Sequence, residues 1–343
     1  MTRVFIRRVL STVLYSFFLL PSSFLAAQDL PTFRAKTDVV VVPVTVTDRS
    51  GRFVRGLTAD QFELHEDGDR RPVAQFSADR VPVSLGILLD ISGSMSQMSD
   101  ASDGKDARWA DTRRALELLV TRLGPQDEVL FAAFSDKVGL AVPWTRDHRQ
   151  ILRAFDSLQT GGDTALFNAV KLIAPAFGLA QHQRRVLLLI SDGDDNSVPA
   201  PPLRARPDKS TIGVHEDPYH AALERQRIEK NMMTLAVAAE SRNALNESGA
   251  LLYAIGMGTR KGAKVDQATL EELTKNSGGY VEPLLDAADI STAVARICDD
   301  LQAQYLLAFE PARADGQFHK ISVRVKGSRA NVRARAGYVA NQK

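Results

Sequence analysis

Apolar residues form three unbroken runs, which is the pattern of strands that are buried on both faces of a parallel sheet. The runs are VSLGILLD at 83–90, RRVLLLISD at 184–192 and ALLYAIGMG at 250–258. Between them, apolar residues recur at helical spacing, as in ARWADTRRALELLVTRL at 107–123 and DISTAVARICDDLQAQ at 289–304. Because strands and helices alternate, the sequence predicts an α/β domain with a doubly wound, mostly parallel sheet and helices on both faces.

The two ends of the chain show a different pattern, in which apolar and polar residues alternate between turn signals. Residues 38–76 contain VVVVPVTVTD and QFELHEDGDRRPVAQF, and residues 305–339 contain HKISVRVKG and NVRARAGYV. This alternation is typical of short antiparallel strands. Neither piece is large enough to bury a good core alone. We therefore predict that they pair into one small β-sandwich-like unit; the alternative is that each packs separately against the α/β domain.

The first residues predict export from the cell. Three arginines within the first eight residues precede an apolar stretch at 9–20, and a small-residue cleavage site follows at Ala26-Ala27. The apolar stretch is shorter than the roughly 20 residues that a membrane-spanning helix needs. We expect a cleaved signal peptide and a periplasmic or secreted protein without a membrane span, with a retained N-terminal anchor as the alternative.

The predicted organisation has four parts and one insertion. The parts are a signal peptide at 1–27, an N-terminal β unit at 38–80, the α/β domain at 83–302 and C-terminal strands at 303–340. A proline-rich, polar stretch at 197–229 interrupts the α/β domain, where compact folds normally use a few connecting residues. We interpret this stretch as an insertion that covers the adjoining sheet edge or contributes to partner choice, and we expect residues 198–211 to be disordered.

Composition narrows the class of protein. Of the 343 residues, 44% are hydrophobic and 24% are charged, which indicates a folded, core-forming chain. The formal net charge is only +2, so nothing points to nucleic acid or an anionic membrane as partner. The single cysteine, Cys298, excludes an internal disulfide, and its place in a predicted helix favours a buried structural thiol.

Carboxylate and hydroxyl side chains gather where the buried strands are predicted to end. Asp90 ends the first run, and Ser92 and Ser94 follow it. Asp192 ends the second run, and Thr164 comes after Gly161-Gly162 and opens a predicted helix. Open parallel sheets form their sites beyond the carboxyl ends of the strands, so these side chains can meet at one edge. A purely oxygen donor set suits a hard cation such as Mg²⁺ or Mn²⁺. The simpler alternative is that the aspartate and serines only cap the following backbone.

The sequence Asp90-x-Ser92-x-Ser94, followed in order by Thr164 and Asp192, resembles the metal-ion-dependent adhesion site of von Willebrand factor A domains. The resemblance implies that the two serines bind the metal directly and that the first aspartate acts mainly through water and hydrogen bonds to them. It further implies that the threonine and the second aspartate complete the coordination.

The same resemblance extends over residues 83–302 and implies a six-stranded sheet with one short antiparallel edge strand, KVGLAV at 137–142. The chain as a whole also resembles exported A-domain proteins of acidobacteria and similar bacteria. The resemblance implies a non-enzymatic protein that mediates Mg²⁺-dependent protein–protein binding or adhesion, with the metal accepting a carboxylate from the partner.

Two further residues are candidates for contact with that partner. Trp144 is a binding anchor if it is exposed near the metal edge, and otherwise packs in or at the rim of the core. Asp163 is a candidate because it lies beside Thr164.

Two other functions stay open. One is a structural or assembly component of the cell envelope with a metal-independent interface, and the other is a metal-dependent phosphoesterase. No general base or nucleophile pattern supports catalysis.

Overall fold

The computed structural model of the protein describes residues 39–93, 95, 104–197, 218–257, 265–284 and 286–340. The predicted signal peptide at 1–27, Ser94 and the stretch 198–211 lie outside these ranges. The domain limits given above therefore stay predictions. Within the predicted insertion at 197–229, the residues from Pro218 onward belong to a long helix.

A six-stranded sheet forms the centre of the α/β domain. Its strands are β5 (Ser84–Asp90), β6 (Glu128–Phe134), β7 (Val138–Thr145), β8 (Arg185–Ser191), β9 (Leu251–Met257) and β10 (Val281–Leu284). Their spatial order is β10-β9-β8-β5-β6-β7, and all neighbours are parallel except β6 and β7. The predicted doubly wound, mostly parallel sheet with one antiparallel edge strand is confirmed.

Helices cover both faces of this sheet. They are α1 (Gly104–Arg122), α2 (Arg149–Phe155), α3 (Leu166–Ile173), α4 (Pro218–Ser248), α5 (Gln267–Thr274) and α6 (Ile290–Ala303). Leu89 belongs to a core cluster with residues of α1, α2 and α6, whereas Leu88 belongs to one with residues of α3, α4 and α5. Burial on both faces explains the unbroken apolar runs. In the described part of the chain, no helix is long and apolar enough to cross a membrane.

The segments that flank the α/β domain form two antiparallel sheets of four strands each. Their strands are β1 (Val40–Thr47), β2 (Phe62–Glu66), β3 (Asp69–Arg71), β4 (Gln75–Ser77), β11 (Tyr305–Phe309), β12 (Phe318–Val325), β13 (Asn331–Ala334) and β14 (Gly337–Val339). One sheet has the order β13-β1-β11-β4 and the other β14-β12-β2-β3, so each combines strands from both ends of the chain. A single buried cluster contains Val44 and Leu307 of the first sheet and Leu64 of the second. The predicted sandwich-like unit is confirmed.

A buried polar cluster joins this unit to the α/β domain. Asp300 on α6 accepts hydrogen bonds from the Thr45 hydroxyl at 2.9 Å, the Tyr253 hydroxyl at 2.5 Å and the Arg333 guanidinium at 2.6 Å. The same guanidinium lies over the ring of Tyr280, 4.9 Å from its centroid. Because a buried charge is stable only when it is paired and hydrogen-bonded, these contacts fix how α6 meets β1 and β13.

The one cysteine, Cys298, lies on α6 within the core cluster that faces α1. Burial raises the pKa of its thiol to about 11, so the group stays protonated at neutral pH. This placement agrees with the predicted structural role.

Candidate metal centre

The loop after β5 is organised by the side chain of Asp90, the last residue of that strand. Asp90 is completely buried; its Oδ1 accepts the backbone N–H of Ser92 at 2.9 Å, and its Oδ2 accepts the hydroxyl of Ser191 at 2.7 Å. An aspartate that accepts the N–H two residues ahead turns the chain sharply. The turn holds Ser92, also fully buried, directly beside the end of the strand.

The loop before α3 is fastened to the loop after β5 by two backbone hydrogen bonds. Gly161 donates to the carbonyl of Ile91 at 2.7 Å, and Gly93 donates to the carbonyl of Gly162 at 2.9 Å. Gly162 has a φ of +85°, and a Cβ there would lie 3.1 Å from the carboxylate of Asp136. Glycine at this position therefore permits the close approach of the loop before α3 to the turn between β6 and β7. The loop ends at Thr164, which is 1% exposed.

The loop after β8 supplies the second carboxylate, that of Asp192, which is 3% exposed. Its Oδ1 accepts the backbone N–H of Asp194 at 3.2 Å. Its Oδ2 is buried and has no hydrogen-bond partner among the described residues. Gly193 has a φ of +89°, and a Cβ there would lie 2.6 Å from the carbonyl oxygen of Asp266, so the loop requires glycine at this position.

The loop after β8 is also bound to the start of α3. The Asn196 N–H donates to the Thr164 carbonyl at 2.8 Å, and the Phe167 N–H donates to Oδ2 of Asp195 at 2.8 Å. Asp195 thus satisfies one of the free N–H groups in the first turn of α3. The three loops that carry Ser92, Thr164 and Asp192 are therefore connected to one another at a single edge of the sheet.

Negative charge is concentrated at this edge. Burial raises the pKa of Asp90 to about 6, and the negative charge of Asp192 adds to the increase, although hydrogen bonds from Ser191 and Ser92 oppose it. The pKa of Asp194 is raised by burial and by the charges of Asp192 and Asp266. Carboxylates held together away from water repel each other, and a bound cation would relieve that repulsion.

The donor set fits a hard cation. Asp192 presents a buried carboxylate oxygen that has no donor among the described residues, and the predicted hydroxyl ligands with described side chains, Ser92 and Thr164, are also buried. No group of three or more His, Cys, Asp or Glu among the described residues is arranged to hold a metal. Hydroxyl groups would therefore have to supply part of the coordination, which suits Mg²⁺ or Mn²⁺ better than a softer ion.

Four of the five predicted metal ligands are brought together by the structure. Asp90, Ser92, Thr164 and Asp192 lie on the three connected loops, whereas Ser94 lies outside the described residues. Their role as ligands stays a prediction. Sequence reasoning missed two supporting residues, Ser191 and Asp195, because each acts on a partner that is distant along the chain.

The two candidate partner-binding residues lie in different places. Asp163 is exposed beside Thr164, and its role stays a prediction. Trp144 does not lie near the metal edge: β7 runs antiparallel, so the neighbouring Thr145 pairs with Val129 at the opposite end of β6 from Asp90. The Trp144 indole N–H donates to the Ala176 carbonyl at 2.9 Å. This placement corrects the expectation of an anchor beside the metal and supports the rim-packing alternative.

Comparison with known proteins gives one family match. Residues 85–194 match the family model described as the von Willebrand factor type A domain. These residues run from β5 to the loop after β8 and include every predicted metal ligand. No curated protein sequence matches the chain significantly.

Several solved structures are similar to the chain at low identity. An aerotolerance-related membrane protein from Bacteroides fragilis is 19% identical, with a TM-score of 0.42, over 63% of this chain and 98% of that chain. BatB from Bacteroides thetaiotaomicron is 18% identical, with a TM-score of 0.44, over 64% and 97%. Proximal thread matrix protein 1 from the mussel byssus, solved with a zinc-occupied MIDAS motif, is 16% identical, with a TM-score of 0.42, over 66% and 49%. Likeness at this level carries no inference about ligands or partners.

Proposed function

From the match of residues 85–194 to the von Willebrand factor type A domain, we propose that the chain binds a protein partner through a divalent cation, Mg²⁺ or Mn²⁺. The residues that would hold the ion are Asp90, Ser92, Ser94, Thr164 and Asp192. One observation carries the proposal: the carboxylate of Asp192 is buried at the sheet edge with Oδ2 unpaired among the described residues. Binding, rather than turnover, is the proposed activity.

An unpaired carboxylate oxygen in the interior is unfavourable unless something else compensates it. Leaving a buried polar atom without a partner costs about 1–3 kcal/mol, and more when the group is charged. The Asp192 loop is nevertheless held firmly, because its backbone carbonyl accepts the N–H of Asp266 at 2.9 Å and its Oδ1 is hydrogen-bonded. A fixed, negatively charged oxygen that has no hydrogen-bond partner among the described residues supports a cation site.

The charge balance of the site supports a carboxylate as the group that the partner contributes. Asp90 and Asp192 together offset the double charge of the cation, and the remaining predicted ligands are neutral hydroxyls. Mg²⁺ favours six oxygen ligands and retains water where the protein supplies fewer. A carboxylate from another molecule could therefore replace a water molecule without crowding the site with negative charge.

Exposed apolar residues on α4 support a protein as the partner. Ile228, Met232 and Leu235 follow the i, i+4, i+7 spacing of one helix face, and Met232 is 65% exposed. The 31-residue helix is about 46 Å long, whereas the seven-residue strands measure about 23 Å. Since α4 ends beside the start of β8, its first half extends toward the edge that carries the metal ligands. Contiguous exposed apolar groups are typical of protein-interaction surfaces.

Export of the protein is part of the proposal. Its support is the sequence of residues 1–27, in which basic residues precede an apolar stretch and a small-residue cleavage site. The proposed place of action is the periplasm or the exterior of the cell, where the protein would serve adhesion or assembly.

The proposal is tested by selecting binders from a random peptide display library in Mg²⁺ and eluting them with EDTA. We expect the eluted peptides to share an aspartate or glutamate whose replacement by its amide abolishes binding. Asp192→Asn should recover no such peptides, whereas the matched variant Asp69→Asn, at an exposed position on β3, should behave as the wild type. Peptides that stay bound in EDTA, or that bind without an aspartate or glutamate, would instead support a metal-independent interface.

A further inference from the structure

A cavity lies at the opposite end of the sheet from the metal ligands, between the α/β domain and the β-sandwich-like unit. Its volume is about 340 Å³, and its lining comes from the start of β8, the end of α4, the start of β1, the loop after β11 and the last strands. Two lining residues, Arg185 and Arg335, are arginines that the metal centre does not involve. A volume of this size lies within the range of small-molecule sites.

Arg185 reaches the cavity with an incomplete set of hydrogen bonds. Its Nη1 donates to the carbonyl of Ser248 at 2.9 Å, at the end of α4. Its Nε is buried and has no hydrogen-bond partner among the described residues. A guanidinium carries five N–H donors in a planar fork, and a buried donor without an acceptor is unfavourable.

Arg335 approaches the same cavity from the last part of the chain. Its Nε donates to the carbonyl of Gly337 at 2.7 Å, and its Nη2 donates to the carbonyl of Asn246 at 3.4 Å. Among the described residues, the groups that accept hydrogen bonds from Arg185 and Arg335 are thus neutral backbone carbonyls. Neither guanidinium lies within 4.0 Å of a described carboxylate, although Arg333, two residues earlier, is paired with Asp300.

The two arginines are close enough to repel each other. Burial lowers the pKa of Arg335 to about 10, and the positive charge of Arg185 contributes to the decrease. Burial also lowers the pKa of Arg185. The lining further includes Glu247, Glu310 and Arg313, all exposed to solvent, which screens their charges. Two partly buried cations that face one cavity without an anionic partner among the described residues are unfavourable, and a bound anion would offset that cost.

We propose that this cavity binds a small oxyanion of the phosphate or carboxylate class between Arg185 and Arg335. The planar guanidinium groups of these two lining residues match the paired oxygens of either anion. The remaining volume admits a small body attached to the anionic group. The site is separate from the metal ligands, so it does not depend on the proposed adhesion function.

The test uses the protein in buffers that contain EDTA, so that no divalent ion bridges the anion. Inorganic phosphate and succinate are compared with chloride at equal ionic strength, by thermal unfolding and by isothermal titration calorimetry. We expect one of the two anions to raise the melting temperature and to bind saturably at millimolar concentration or below. The anion that binds more tightly identifies the chemical class.

The variants decide whether the arginines are responsible. Arg185→Gln should weaken anion binding by about tenfold or more, because a single charge-assisted hydrogen bond contributes enough to affinity for such a loss. Without anion it should fold at least as stably as the wild type, since one of two repelling charges is gone. Arg335→Gln should have the same effect on binding, and Arg149→Gln, at an exposed position on α2, should have none.

Either of two results would overturn the proposal. One is that neither anion stabilises the wild type more than chloride does. The other is that Arg185→Gln responds to the anions as the wild type does. If Arg335→Gln fails to fold, Arg185→Gln still decides the outcome, because its side chain is held in the described structure mainly by the bond to the Ser248 carbonyl.

Discussion

The hydroxyl of Ser191 donates a 2.7 Å hydrogen bond to Oδ2 of Asp90, which connects the carboxyl ends of the neighbouring strands β8 and β5. The same hydroxyl oxygen accepts the N–H of Gly193 at 3.0 Å, at the turn that carries Asp192. One side chain thus positions both predicted carboxylate-bearing loops, although it is not itself a predicted ligand.

Ser191→Ala should therefore lower stability and weaken metal binding together. Two hydrogen bonds in a buried site are lost, and the expected decrease in the free energy of unfolding is about 1–3 kcal/mol. The Mg²⁺ affinity should fall about tenfold, because Asp90 loses a donor that favours its charged form. Urea unfolding with Mg²⁺ or with EDTA measures both effects. Ser157→Ala removes an exposed hydroxyl and should change neither quantity.

Asp192→Asn should separate metal binding from stability. In EDTA the variant should be at least as stable as the wild type, because asparagine keeps the shape and the Oδ1 acceptor but removes a buried negative charge. In Mg²⁺ it should lose the stabilisation that ligand binding gives to the folded state. Thermal unfolding under both conditions measures the difference. Asp163→Asn, at the exposed neighbouring loop, should keep the metal response; an unchanged response in Asp192→Asn would contradict the metal site.

Asp300→Ala should destabilise the junction of the two structural units. The change leaves Arg333 and the hydroxyls of Thr45 and Tyr253 without their shared acceptor in a buried cluster. Breaking such a pair costs about 3–5 kcal/mol. Asp299→Ala, the preceding residue on α6, removes only an exposed pair with Arg122 and should cost less than about 1 kcal/mol. Urea unfolding measures the free energy of unfolding of both variants. An equal decrease in the two would show that the buried cluster stabilises the protein no more than the exposed pair does.

His319 should make the stability of the β-sandwich-like unit depend on pH. Its Nδ1 lies 2.7 Å from a carboxylate oxygen of Asp67 and its Nε2 lies 3.0 Å from one of Asp315. These two carboxylates raise the pKa of His319 above its usual 6.5. The protonated ring is favoured in the folded state, so its contribution is complete below pH 6.5 and is lost as the pH rises through the folded pKa.

The histidine prediction is checked by following the ring protons by NMR and the free energy of unfolding over that pH range. His319→Gln should remove this part of the pH dependence, whereas His65→Gln, on the neighbouring strand β2, should retain it. A folded pKa of His319 at or below 6.5 would contradict the prediction.

Much of the fold followed from local patterns in the sequence. Strands such as β5 and β8 are covered on both faces, so nearly every side chain must be apolar, and this requirement is readable without knowledge of the partners. The pairing of the two chain ends was predictable for a related reason, because neither end could bury a core alone. The metal-site prediction depended on residues that stand next to the ends of such strands.

The antiparallel direction of β7 shows where prediction from pattern reached its limit. The edge strand itself was expected, but the position of Trp144 along it depended on the register with β6, which no local pattern encodes. The same limit applies to Asp195, whose acceptor role at α3 joins positions 28 residues apart in the chain.

The sequence by itself determined the alternation of buried strands and helices, the flanking β strands and the order of the oxygen-bearing residues, because these depend on periodicity and neighbouring positions. Only the tertiary structure decided which buried charges are paired and which are not. Arg333 meets Asp300 across the junction, whereas Arg185 and Arg335 meet each other across a cavity without a described carboxylate between them. Pairing of charges depends on distances between residues that are remote in sequence, and those distances are set by the packing of the whole chain.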